Sequence, residues 1–261
     1  MKKMLLLTLA LLALGVSIAS AQGTISLAYG VCRIATTTAN DFTWPGSTPT
    51  ACSDPTNSGL AASMVSAWKN SATIANFALA TTVIDILVGN GTGLSDFWTF
   101  DPGTCHDGGM TAAGSIGTGG SALPTNCQNP YGLTSGQTNF FGSNSSPSTG
   151  RIHFENDHGK QTPTAALAAP TSAGGYIGNI ISLSWDDAAV SGSACAGCTD
   201  PACLVLNGIK IYNSSGAQAA DINGVAPGIQ NFVTFYGGTA NCPGAVPTKN
   251  ATWGQVKALY R

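Results

Sequence analysis

Eight cysteines, all downstream of an N-terminal apolar segment, constrain this chain more than any other feature. The segment reads as a secretion signal: Lys2 and Lys3 make a positive start, residues 5–16 an apolar core, and Ala19-Ser20-Ala21 a small-residue cleavage site. Residues 1–21 are therefore expected to be removed, leaving a mature chain over 22–261 in an oxidising compartment where thiols pair. No cysteine follows the apolar core closely enough for a lipid anchor, and no later apolar run approaches the ~20 residues that span a bilayer. The expected location is extracellular or at the cell surface, with the periplasm the other compartment open to it. The Asn-x-Ser/Thr sequons at Asn90, Asn144, Asn213 and Asn250 are read as chance in a chain so rich in these residues.

An even cysteine count in a secreted chain predicts four disulfides and no thiol nucleophile. Proximity predicts Cys32 with Cys52 and Cys105 with Cys127, each closing a short loop worth roughly 3 kcal/mol in the chain-entropy picture. Cys195, Cys198, Cys203 and Cys242 allow three pairings; closure to Cys242 from Cys198 or Cys203 is favoured, because it ties a turn between strands to a later loop. The competing reading is a four-thiolate zinc site, since Cys-x-x-Cys with two further cysteines satisfies tetrahedral ligation. A redox role for Cys195-x-x-Cys198 would need a thioredoxin-like βαβ context that the flanking sequence lacks.

Charged residues make up only 8% of the chain, against ~25% in ordinary soluble domains. Without Lys2 and Lys3 the formal charge falls from −2 to about −4, which gives no reason to bind nucleic acid or an anionic membrane. Gly, Ser, Thr, Asn and Ala dominate instead, a composition suited to extracellular β-proteins and to subunits that pack into assemblies. Alternation predicts strands over 24–29, 73–79, 82–88, 97–100, 151–155, 176–185, 203–212 and 231–236. In the penultimate of these, Leu204 and Leu206 share a face with Ile209 and Ile211 only if the strand shifts at Asn207-Gly208. Residues 59–76 carry Leu60, Met64, Val65 and Trp68 at near-helical spacing, which predicts a short helix or turn. Residues 101–150 read as a Gly/Ser/Thr/Asn-rich loop region, and Thr252-Trp-Gly-Gln255 as the capping box of a short C-terminal helical turn. The fold expected is all-β: a single antiparallel β-sandwich domain, jelly-roll type among the arrangements open to it, with long disulfide-stapled loops.

The segment from Ala194 through Cys195, Cys198, Asp200 and Cys203 to Asn207, with the ending Thr252-Trp-Gly-Gln-Val-Lys-Ala-Leu-Tyr-Arg261, resembles motifs of uncharacterised secreted proteins of environmental bacteria. Asp96-Phe-Trp98 followed by Cys105 extends the resemblance. It implies secretion and membership only, because that group brings no activity, ligand or catalytic residue with it.

Candidates for chemistry are few. In Arg151-Ile-His-Phe-Glu-Asn-Asp-His158, a strand projects His153, Glu155 and Asp157 from one face while Ile152 and Phe154 enter the core, with His158 at the following turn. These four residues could ligate a divalent metal; a solvated strand face is the plainer reading. Glu155 is the only glutamate, so a glycosidase pair would need an aspartate such as Asp85, Asp96 or Asp101. Asp186 and Asp187, being adjacent, would point to opposite faces and cannot flank one bond. Trp44, Trp98, Tyr131, Tyr176 and Tyr236 could stack on sugar rings if exposed, though core packing is the commoner fate of such residues. Neither a nucleophile elbow, a His-Glu-x-x-His motif nor a phosphate loop occurs, and no cofactor is implied. The function expected is that of a secreted, non-catalytic protein binding polysaccharide or a protein partner. A self-assembling extracellular subunit is the alternative, and a secreted hydrolase the third reading.

Overall fold

The computed structural model describes residues 23–34, 41–43, 61–89, 93–113, 126–131, 143–146, 150–159, 166–171, 173–184, 195–238 and 242. The expected secretion signal over residues 1–21 and the expected C-terminal helical turn, with Cys52, Trp44, Asp186 and Asp187, lie outside them. Eleven strands follow in chain order: β1 (Gly23–Tyr29), β2 (Asp41–Phe42), β3 (Ala61–Asn70), β4 (Phe77–Val88), β5 (Met110–Ala113), β6 (Ser143–Ser146), β7 (Arg151–Gly159), β8 (Tyr176–Ser184), β9 (Ala202–Asn213), β10 (Gln218–Ile222) and β11 (Phe232–Phe235). They form an all-β sandwich. The small sheet runs β1-β3-β8-β5; the large one runs β2-β11-β9-β4-β7-β6, with β10 also on β9. All pairings are antiparallel except that of β11 with β2.

β4 is the spine of the large sheet, flanked by β9 and β7 along almost its full length. Its inner face carries Ala80, Thr82, Ile84, Ile86 and Val88, and the four apolar ones join Ile25, Leu27, Met64, Trp68, Ile181 and Leu183 of the small sheet in one continuous core. Residues 73–79 and 82–88 are thus not two strands, since β4 is continuous from Phe77. β9 keeps its apolar side inward by means of the expected shift. Val83 pairs with Gly208 and Ile84 with Leu206, so Asn207 is the extra residue of a β-bulge and Leu204, Leu206, Ile209 and Ile211 are all buried.

Three sequence expectations are corrected. Residues 61–70 form β3, not a helix or turn: this strand is covered on both faces near its middle, so Val65 and Ala67 are buried as well as Met64 and Trp68. That erases the alternation and leaves a spacing that imitates a helix. Residues 96–98 form a 3-10 turn, not a strand, closed by Trp98 N–H to Ser95 O at 2.9 Å and Thr99 Oγ1 to Asp96 O at 2.7 Å. The region 101–150 is not all loop, because β5 pairs with β8 and β6 with β7.

The cysteines pair at long range. Cys32 bonds Cys127, Cys105 bonds Cys195, and Cys203 bonds Cys242, across 95, 90 and 39 residues. The expected Cys32–Cys52 and Cys105–Cys127 bridges are therefore wrong, while closure to Cys242 comes from Cys203. Cys198 is also disulfide-bonded, which removes the four-thiolate zinc reading. Closing loops of 90 residues or more constrains the unfolded chain by roughly 4–5 kcal/mol each if taken singly, more than the short loops would.

Candidate functional site

The outer face of the large sheet collects most of the charged side chains that strands present. Asp85 is the hub. It replaces an apolar residue on the spine strand, is 7% exposed, and would be costly there without partners. Three are supplied by neighbouring strands: the Arg151 guanidinium donates to Oδ2 at 2.6 Å, His153 Nδ1 lies 2.7 Å from Oδ1, and Asn207 Nδ2 donates to Oδ2 at 2.7 Å. Register explains the first two contacts, because Asp85 sits directly opposite His153 with Arg151 two residues along. The third exists only because the bulge turns Asn207 to the outside.

Toward the other end of β7, Lys210 donates to Glu155 at 2.6 Å and Thr81 donates to Asp157. The bond to Glu155, outweighing partial burial, raises the Lys210 pKa and keeps the ammonium charged. Arg151, His153, Glu155 and Lys210 are 49%, 34%, 44% and 33% exposed, so solvent reaches these four, while Asp85 and Thr81 are buried. All three salt bridges among the described residues lie here.

The four-residue metal cluster does not assemble. His153, Glu155 and Asp157 share the outer face, but His158 occupies the inner one and is 2% exposed beside the Tyr131 ring, 5.8 Å away. The strand runs on to Gly159, so no turn brings His158 round. Among the described residues no group of three or more His, Cys, Asp or Glu is placed to hold a metal ion. Burial lowers the His158 pKa to about 4, more than the nearby Asp157 charge raises it.

The aromatic candidates do not form a stacking surface either. Trp98, Tyr131 and Tyr176 are 0%, 1% and 7% exposed, and each spends its polar atom on a backbone carbonyl: Gly197 O at 3.1 Å, Gly178 O at 2.6 Å and Ala168 O at 3.0 Å. Burial raises the Tyr131 and Tyr176 pKa values. Tyr236 is half-buried, in a turn at φ 48°.

Sequence reasoning missed Arg151, Asn207 and Lys210, and treated Asp85 only as a possible carboxylate partner. The usable signal was Asp85 itself, a lone charge within the apolar run Val83-Ile-Asp-Ile-Leu-Val88. The two motif segments, 96–105 and 195–207, meet in the structure. Cys105 bonds Cys195, Phe97 N–H donates to Ala196 O at 2.9 Å, Trp98 Nε1 reaches Gly197 O, and Ser95 Oγ donates to Asp200 Oδ2 at 2.6 Å. Gly197 cannot be replaced there: its φ is +95° and a Cβ would lie 2.0 Å from Ser95 Oγ. His106 closes the unit, donating from Nδ1 to Phe97 O at 2.7 Å. These residues hold the fold together and present no open chemistry.

No protein-family model, curated protein or solved structure matches this chain. Among the described residues, no helix is long and apolar enough to cross a membrane.

Proposed function

We propose that this chain is a secreted, non-catalytic binding protein that contacts a polysaccharide through the outer face of β4, β7 and β9. One observation carries the reading: in a chain with 8% charged residues, oriented charged and amide groups concentrate on one solvent-reached sheet face. Each is held by a partner on a neighbouring strand, so little side-chain entropy remains to be lost on binding. The face sets these donors and acceptors beside the aliphatic side chains of Val83, Leu87 and Val205, a mixture that suits the hydroxyls and C–H groups of a sugar chain. Catalysis is not favoured. Glu155 is tied to Lys210 and Asp85 to three donors, so both side chains are already engaged by neighbouring strands. The long-range disulfides suit an oxidising compartment, and the motif segments act as a folding staple, in keeping with the resemblance to secreted bacterial proteins.

The test is retention on insoluble and immobilised polysaccharides, comparing the wild type with an Arg151→Ala/Lys210→Ala double variant. Retention of the wild type on at least one polysaccharide, weakened at least tenfold in the variant, supports the reading, because a single lost charged hydrogen bond of roughly 1.5 kcal/mol already gives that factor. No retention, or equal retention of both proteins, overturns it.

A further inference from the structure

The outer face of the large sheet continues past the charged hub to an apolar shelf near the start of β4. Beyond the bulge in β9, Ile209 and Ile211 are buried on the inner face, so Lys210 and Tyr212 share the outer one. Register lays out two rows across the strands there. Tyr212, Leu79 and Gly159 lie side by side on β9, β4 and β7. Asp221, Lys210, Thr81 and Asp157 form the next row, from β10 to β7. The rows are two residues apart, roughly 7 Å, and the first spans roughly 10 Å.

The first row is the shelf. Tyr212 and Leu79 are half-buried, and the Tyr212 side chain makes no hydrogen bond or ring contact with any described residue. In this it differs from Trp98, Tyr131 and Tyr176, which are packed away and hydrogen-bonded. Gly159 ends the shelf in a notch: a Cβ there would meet only Ala78 O and Leu79 Cδ1, both at 3.8 Å, so a side chain has room and its absence leaves the floor open. The negative face of a tyrosine ring attracts polarised C–H groups, which a pyranose ring presents on its less substituted side.

The second row sets the charge of the occupant. Asp157 accepts from Thr81, Lys210 donates to Glu155 at 2.6 Å, and the exposed Asp221 stands opposite Lys210. Three carboxylates around one ammonium repel an acidic sugar. A cationic one fares no better over the ring, because Lys210 is the charge nearest Tyr212 on its own strand. Neutral hydroxyls meet no such barrier, and they find an acceptor in Asp157 and a donor in Lys210.

Resting on the reading of the outer face as a polysaccharide surface, we propose that this shelf is the subsite for a neutral pyranosyl unit, its C–H side stacked on Tyr212 and Leu79 and its edge hydroxyls bonded to Asp157 and Lys210. Tyr212 supplies the stacking, and the surrounding charges restrict the polysaccharide to an uncharged one.

Affinity electrophoresis of the full mature chain tests it, in gels containing laminarin, xylan, dextran or galactomannan, which are neutral, or alginate or polygalacturonate, which are acidic. At least one neutral polysaccharide is expected to retard the wild type, and neither acidic one. For that polysaccharide the apparent Kd should rise about tenfold or more in Tyr212→Ala, which removes the ring, and in Gly159→Leu, which fills the notch. Circular dichroism of each variant establishes that it is folded. An unchanged Kd in either folded variant, or retardation by an acidic polysaccharide equal to that by any neutral one, overturns the assignment of the subsite and leaves the polysaccharide surface standing. Retardation in none of the gels overturns both.

Discussion

His158 makes the sandwich acid-sensitive in a way that can be isolated. Its imidazole is 2% exposed on the inner face of β7, its Nε2 has no partner among the described residues, and burial holds its pKa at about 4 against the ordinary 6.5. Between these values the unfolded chain binds a proton that the folded chain does not. Stability from this group is therefore complete above pH 6.5 and is lost as the pH falls toward 4. Linkage over 2.5 pH units gives about 3 kcal/mol in full, of which about 2 kcal/mol is lost by pH 5. The assay is urea unfolding of the disulfide-intact protein by tryptophan fluorescence, at pH 7.5 and 5, for the wild type and His158→Leu. Titrating carboxylates act alike in both proteins and cancel. With an m-value near 2 kcal/mol/M, the wild-type midpoint should drop by about 1 M urea more than that of the variant. Parallel midpoint shifts would refute the reasoning, because they would show that His158 titrates no differently in the folded and unfolded chains.

Other perturbations test the fold and its hub. Asp85→Ala leaves the Arg151, His153 and Asn207 donors without their acceptor and should cost about 2–3 kcal/mol, read as a lower melting temperature. Deleting Asn207 leaves Leu206 and Ile209 in regular alternation, so Ile209 and Ile211 stay buried and the product should still unfold cooperatively in urea, with a lowered midpoint because Asp85 loses one donor. Gly197→Ala should destabilise by several kcal/mol because its Cβ strikes Ser95, whereas Gly216→Ala, at φ +78° but with open space around it, should cost about 1–2 kcal/mol. Peptide mapping under non-reducing conditions should recover Cys32–Cys127, Cys105–Cys195 and Cys203–Cys242.

The strands that could be read from the sequence are those with one dry face and one wet face. β7 shows it along its length, β8 over Ile180–Ser184 and β9 beyond the extra residue Asn207, whereas β1 is buried from Ile25 to Ala28 and is legible only because Ser26 separates Ile25 from Leu27. β3 could not be read this way because both of its faces are covered at Val65 and Ala67, and a strand without a wet face carries no period of two. The 3-10 turn at Asp96–Trp98 was hidden because Phe97 and Trp98 are both buried and aromatic, a pairing that mimics β-propensity. For the site, local spacing placed His153, Glu155 and Asp157 together. It could not reveal that Asp85, 68 residues before His153, pairs with it while Lys210 and Thr81 hold Glu155 and Asp157, nor that strand continuation carries His158 to the other side. Disulfide pairing failed for the same reason: proximity along the chain carries little information when sheet order decides which loops meet.

The order of the half-cystines has a consequence for biogenesis. Cys32, Cys105, Cys127 and Cys195 alternate between two bridges, so the two closed loops overlap, and the first cannot close before residue 127 is present nor the second before residue 195. A polypeptide emerging N-terminus first offers Cys52 and Cys105 to Cys32 before Cys127 arrives. Oxidation in order of appearance therefore builds wrong bridges first. Reaching the native set requires thiol–disulfide exchange, with one thiolate attacking an existing bridge while the sheets assemble. Yield should accordingly depend on an isomerising redox environment more than on oxidising power.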